Sequence, residues 1–359
     1  MEKYDIAIIG AGPAGSTLAR EIALAKPSLR VLLIYAQKPD SGKVCGGLLS
    51  PDAQKMMASF GLTLPSSVLS ESQIFAVDTV DLEAGIKRTY ARNYLNMDRY
   101  AFDSYLLSLV PSSVEVVKGR CISATAKDGA YSVKVNLPGG EAEFLSHAIV
   151  GADGAASLIR RAFFRDKIER TVAYQEWYIA KEESKIPPYS CIFDKKTSKH
   201  CSWTIRTGEH VILGGVFEKN GFREAFAEQK ARLEAFIGES FGEPSKTESC
   251  FVMNPKRARD IILGNGRVFL VGEAAGFISR SSYEGIGNAM MSAASLASAI
   301  TKTDEPRGRI KAYRRATACQ RRAVLMKNAK RFLLFTQVTR KLIMKSGITA
   351  IKTAKEKKR

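Results

Sequence analysis

DIAIIGAGPAG, residues Asp5–Gly15, is an apolar run that ends in three glycines spaced G-x-G-x-x-G. The run up to Ile9 reads as a buried strand, and STLAREIALA after the glycines reads as a helix. Between them Gly10 permits a tight turn, Gly12 lets the backbone approach a pyrophosphate, and Gly15 brings helix against sheet. Pro13 and Ala14 open the helix, whose N-terminus favours phosphate charge. A second apolar strand, RVLLIY (Arg30–Tyr35), follows. That strand–turn–helix–strand order turns a weak spacing motif into an expectation of dinucleotide binding. The acid that should end the second strand and hold the adenosine ribose is missing, because Tyr35, Ala36 and Gln37 stand there. The tyrosine ring and nearby backbone are expected to hold the adenosine half instead.

Two later stretches choose the dinucleotide. GADGAASLIRR (Gly151–Arg161) follows the apolar HAIV and resembles the DG motif of flavoprotein monooxygenases and reductases, with Asp153 as its acid. RVFLVGEAAGFISRSSYEGIGNAMMSA (Arg267–Ala293) resembles the second FAD motif of that superfamily. Gly272 makes its turn, and Glu273 replaces the more usual Asp as acceptor for the ribityl hydroxyls. Gly285 and Gly287, with Ile286 between them, open a helix whose N–H groups can bond the flavin pyrimidine. NMDRYAFDSYLL (Asn96–Leu107) resembles the family's helix start, with Arg99 toward the cofactor and Phe102 and Leu106 toward the core. Together these imply FAD.

The resemblance then narrows. KVCGGLLSPDAQ (Lys43–Gln54), QIFAV, YSCIFD, CSWTI and GEAAGFISRSSYEGI resemble the geranylgeranyl reductase family of p-hydroxybenzoate-hydroxylase-like flavoproteins, most closely its bacterial colicin-M-resistance type. The fold implied is α/β: a Rossmann-like FAD domain with an inserted antiparallel-sheet substrate domain and a C-terminal helical segment. The expected division gives residues 1–70, 93–165 and 260–305 to FAD, 71–92 and 166–259 to the substrate sheet, and 306–359 to the basic helical segment. The resemblance puts Cys45, Gly46 and Gly47, with Lys43 before them, in a loop on the substrate face of the flavin. Cys45 then either fills space beside the ring or positions substrate and relays a proton. The family's aromatic strand is only partly kept in Cys201–Arg206. Its Trp203 reads either as the wall of an apolar tunnel or as a core tryptophan.

The activity implied is reduction of carbon–carbon double bonds in a polyprenyl (isoprenoid) lipid by hydride from reduced flavin. The electron donor is either NAD(P)H or a small redox protein, since no second glycine fingerprint follows the first. The rivals are a flavin-dependent aromatic monooxygenase, a flavin halogenase, and a non-catalytic lipid-binding flavoprotein. The tryptophan-rich halogenase signature is absent. Three histidines, His147, His200 and His210, give little support to a histidine-centred hydrolase or metal site.

Composition sets the remaining expectations. The chain has 359 residues, 45% of them hydrophobic and 25% charged, as a folded globular protein should. The strand pattern begins at Tyr4, so no secretory leader is expected. The six cysteines include no CxxC pair and are expected to be reduced thiols in the cytosol. The net charge is +19, and 19 Lys or Arg against three acids from Thr301 onward supply +16 of it. In that tail Phe332, Phe335, Val338 and Leu342 recur at helical spacing, flanked by Arg331, Arg340, Lys341 and Lys345. A basic amphipathic helix of this kind suits an anionic membrane surface on the inner face of the cell membrane. A packed terminal helix is the plainer reading, and nucleic acid is disfavoured because no nucleic-acid module accompanies the charge.

Overall fold

The N-terminal pattern folds as its apolar runs require. The computed structural model describes residues 3–36 and 43–351, the side chains of 328–330, 332 and 333 excepted. β1 (Lys3–Ile9) lies parallel between β2 (Val31–Tyr35) and the second half of β9 (Gly140–Gly151). β6 (Glu115–Lys118) continues the parallel set beyond β2, and β15 (Val268–Leu270) pairs with the end of β9. The first half of β9 turns outward to join β8 (Ala130–Leu137) and β7 (Arg120–Lys127) in an antiparallel flap. Ile6, Ile8, Leu32, Leu33, Ile149 and Val150 are all at most 1% exposed, so the parallel strands need cover on both faces. α1 (Pro13–Ala25) and α7 (Ile286–Lys302) provide cover and share one core with them. Each fully buried aliphatic side chain there contributes roughly 1.5–3 kcal/mol.

The second sheet runs in the order β14 (Lys246–Met253), β10 (Arg170–Ile179), β13 (His210–Phe217), β12 (Ser202–Thr207), β11 (Tyr189–Phe193), β4 (Ile74–Asp81), β5 (Ile86–Asn96) and β16 (Ala350–Ile351). β3 (Leu48–Leu49) also pairs with β5. All its pairings are antiparallel except β11 with β4. On one face Tyr174, Tyr178 and Phe217 pack against Phe226 and Leu233 of α5 (Phe222–Ile237). The other face turns Ala173, Trp203, Ile205 and Val216 toward the nucleotide fold, and the site lies in that gap.

The C-terminal segment forms α8 (Pro306–Ala316), α9 (Ala318–Phe335) and α10 (Gln337–Ser346). Its expected single apolar face does not form, because the chain takes an extended conformation at Thr336 between α9 and α10. Phe335 packs edge-on against Phe193, 5.0 Å between ring centres. Arg340 folds inward, 2% exposed, and donates to Asp81 Oδ2 at 2.7 Å and Glu83 Oε2 at 3.0 Å. Lys341, Lys345, Val338 and Leu342 stay exposed, and the Phe332 side chain lies outside the described residues. Nearer its start, the segment is anchored by Tyr313, which donates to the Leu270 carbonyl at 3.0 Å. No described helix is long and apolar enough to cross a membrane.

Candidate functional site

A cavity opens between the two sheets, and the ends of several elements meet in it. Gly12 caps α1 without any side-chain hydrogen bond, leaving the first N–H groups of the helix to a ligand. A Cβ on Gly12 would touch nothing within 4 Å, whereas a Cβ on Gly15 would sit 1.7 Å from the Gly10 carbonyl oxygen. Gly15 is therefore needed by the fold, and Gly12 borders open space. Pro13 and Ala14 line the same space. Gly285 caps α7, again without a side-chain bond, so two helix N-termini converge on the cavity. Gly287 serves packing instead: a Cβ there would meet the Ala53 nitrogen at 2.9 Å. Such a cradle of open backbone and paired positive helix ends fits a dinucleotide carrying pyrophosphate and a ring carbonyl.

The acids expected at the cofactor are placed unequally. Glu273 opens α6 (Gly272–Ala275) and reaches the cavity; its Oε1 accepts from the Met253 N–H at 3.0 Å and its Oε2 faces Lys43 Nζ at 3.6 Å. Gly272, at φ 57°, donates its N–H to Ser292. Asp153 does not line the cavity. Its Oδ2 accepts from the Leu158 and Ile159 N–H groups at 2.7 and 3.3 Å, holding the start of α4 (Leu158–Phe163), and burial raises its pKa. The DG segment contributes Ala152 and Gly154 to the cavity instead. Arg160 from the same segment is 1% exposed and joins Asp166, the Ala274 carbonyl and the Asp260 carbonyl, tying α4 to α6. Tyr35 sits half-buried at the end of β2, off the cavity, and Gln37 lies outside the described residues.

Lys43, Cys45 and Gly46 line the cavity, but the two glycines do not do what their pattern suggests. A Cβ on Gly46 would lie 2.1 Å from Ile205 Cδ1, and one on Gly47 would lie 2.4 Å from the Met97 carbonyl oxygen. The close approach they allow is to protein, fastening this loop between the second sheet and the strand end before α3 (Arg99–Ser108). The Cys45 carbonyl accepts from Gln175 Nε2 at 3.3 Å. Its thiol lies near Arg99, whose guanidinium is held by Asp103 through bonds of 2.9 and 3.0 Å. Trp203 lines the cavity wall and also packs against the core of Val44, Ala173 and Val216; its indole N–H meets no acceptor among the described residues.

Sequence reading passed over the far end of the cavity. Tyr283 lies in the loop between α6 and α7 at φ 54°, a conformation that a bulky residue adopts only under constraint. Its hydroxyl is 2.7 Å from His200 Nδ1. Glu284 accepts from Tyr94, which stacks edge-on against Tyr189. Burial raises the pKa of Cys191 to about 12 and of Cys250 to about 11, and raises Cys201 well above its usual value. All six cysteines are unpaired. His147 is exposed on β9. Among the described residues no cluster of His, Cys, Asp or Glu could hold a metal.

Comparison with known proteins agrees with this architecture. Residues 5–192 match the family described as lycopene cyclase protein. Protein CbrA of Escherichia coli K12 is 41% identical over 99% of this chain and 100% of its own. A geranylgeranyl bacteriochlorophyll reductase-like structure from Thermoplasma acidophilum superposes with a TM-score of 0.78 at 18% identity, covering 94% of this chain and 88% of that one. A p-nitrophenol 4-monooxygenase from Pseudomonas putida superposes with a TM-score of 0.71 at 15% identity, covering 97% and 95%. The fold is shared with solved structures that include a flavin-dependent brominase and a flavin-dependent halogenase, and the chain belongs to the lycopene cyclase protein family as a relative of protein CbrA along its length.

Proposed function

We propose that this protein is an FAD-dependent oxidoreductase that reduces carbon–carbon double bonds of a polyprenyl lipid. The observation that carries the proposal is a cavity with two uncapped helix N-termini at its base and an aromatic, thiol-lined wall above them. The Gly10–Gly15 turn would hold the pyrophosphate, Gly285 and Ile286 the flavin pyrimidine, and Glu273 with Lys43 the ribityl chain. Bound and reduced, FAD supplies hydride to an alkene carbon. The protein's part is to orient and to exclude water. Tyr94, Tyr189, Trp203, Ile205 and Val216 offer an apolar chain a close-fitting wall with few competing hydrogen bonds. Arg99, fixed by Asp103, lines the same cavity as the Cys45 loop. Lycopene is itself a long isoprenoid polyene, so the name of the matched family points to the same substrate class.

The electron donor is NAD(P)H or a small redox protein. The exposed Val338, Leu342 and Ile348, 63–69% exposed and accompanied by Lys341 and Lys345, support attachment to an anionic membrane where such a lipid would be met.

The test is anaerobic: the flavin is reduced with dithionite, polyprenyl phosphates are added, and flavin reoxidation is followed alongside mass spectrometry of the lipid. Reoxidation with a two-hydrogen mass gain is expected. An isomer of unchanged mass would indicate cyclisation instead, and reoxidation only by oxygen with an aromatic or halide acceptor would indicate a monooxygenase or halogenase. A flavin that no acceptor reoxidises would leave a lipid-binding flavoprotein.

A further inference from the structure

A reduced double bond needs a proton as well as a hydride, and a row of side chains, one link of it still open, leads from the cavity to the surface. Tyr283 is at its inner end, with the hydroxyl 2.7 Å from His200 Nδ1. His200 is 3% exposed, and its other nitrogen, Nε2, faces Glu218 Oε1 at 3.8 Å. Glu218 is 54% exposed and reaches solvent. Nε2 is buried and has no hydrogen-bond partner among the described residues, so a modest rotation of Glu218 would complete the line.

We propose that Tyr283 is the proton donor to the substrate and that His200 and Glu218 resupply it from solvent. The inference rests on the alkene-reduction reading. As hydride arrives at one alkene carbon, the Tyr283 O–H bond breaks and a C–H bond forms at the other, consuming the π bond. The phenolate oxygen then takes the proton of His200 Nδ1, and Nε2 takes one from the Glu218 carboxyl or the water beside it. Once product leaves, water entering the cavity protonates Tyr283 as the tyrosine passes its own proton to Nδ1, and Nε2 releases its proton toward Glu218, which restores the starting tautomer.

The surroundings suit this role. Besides Tyr283 and Glu218, the charged groups that bear on His200 are Arg331 of α9, Arg280, Glu169 and Lys256. Burial first, then Arg331 and Arg280, lower the His200 pKa to about 3, so the ring is neutral and can carry one proton between two partners. The same two arginines favour a transient phenolate on Tyr283, against the burial that raises its pKa. Arg331 Nη2 also lies 3.4 Å from Nδ1, but it donates to the Lys199 carbonyl at a much shorter distance. Nδ1 is thereby left to the tyrosine.

Two readouts test the assignment separately. The first uses the intact protein labelled with ¹⁵N-histidine, in which three imidazoles are resolved by long-range ¹H–¹⁵N correlation. His200 is expected to stay neutral from pH 5 to 8 with its proton on Nδ1, and Tyr283→Phe should move that proton to Nε2. A wild-type ring protonated at Nε2, or one titrating near pH 6.5, overturns the proposal whatever the substrate. The second compares half-reactions. Tyr283→Phe should slow reoxidation by lipid about 100-fold or more while leaving flavin reduction unchanged. Glu218→Gln should produce a smaller slowing. Unchanged lipid reoxidation in Tyr283→Phe also overturns it. If no alkene reoxidises even the wild type, the alkene reading fails, and the proton line is judged on the ¹⁵N tautomer alone.

Discussion

Gly12 and Gly15 look equivalent as letters of one motif, yet the structure gives them opposite duties. A side chain at Gly15 would collide with the Gly10 backbone at 1.7 Å, and neither strand nor helix can move aside cheaply. Gly15→Ala should cost about 3 kcal/mol or more, read as a lowered urea midpoint even without cofactor. Gly12→Ala meets only open space, so stability should change by no more than about 0.5 kcal/mol while FAD affinity falls about tenfold or more in a fluorescence titration. His200 supplies a pH-dependent counterpart. Its folded pKa of about 3 lies below the ordinary 6.5, so the unfolded chain binds a proton that the folded one refuses. Its contribution to stability is present above about pH 6.5 and is lost as pH falls toward 3, with a slope approaching 1.4 kcal/mol per pH unit. His200→Asn should flatten that part of the stability–pH curve measured by urea unfolding.

At the scale of elements, the glycine turn, the DG segment and the GEAAG turn were legible because local rules place them: an apolar strand, a turn needing glycine, then a helix. The Cys45 loop was legible in position but not in purpose. Which neighbour comes close to Gly46 and Gly47 is decided by Ile205 and Met97, far along the chain or across it, and no local pattern carries that information. The tail misled for the same reason. Periodicity placed Arg340 on a solvated flank, whereas long-range pairing buries it between Asp81 and Glu83. Arg340→Met would leave both carboxylates without their cation, one of them fully buried. That change should destabilise the protein by about 3–5 kcal/mol. It should also raise hydrogen exchange across α10 and the edge of β5 before the rest of the sheet, measured by mass spectrometry.

For the whole molecule, the folding-back of Arg340 reshapes the surface rather than removing it. With Phe335 packed on Phe193 and Arg340 turned inward, the aliphatic side chains left outward among the described residues of the tail include Val338 at 66%, Leu342 at 63%, Ile343 at 37% and Ile348 at 69% exposed. Lys341 and Lys345 stand among them, and the chain as a whole carries +19. A patch that joins exposed aliphatic groups to unburied lysines is costly in water and favourable at an anionic bilayer surface, where each lysine adds about 1 kcal/mol. The protein should therefore co-sediment with vesicles containing phosphatidylglycerol, and less so at 0.5 M salt, because screening weakens the lysine contribution but not the aliphatic one. Val338→Glu with Leu342→Glu should reduce binding about tenfold or more. Both positions are solvent-exposed, so the thermal midpoint and the anaerobic half-reactions with detergent-dispersed lipid should be unchanged. Equal binding of this double variant and the wild type would assign the patch to another surface, and loss of its thermal stability would show that the helix packs more tightly than its exposure implies.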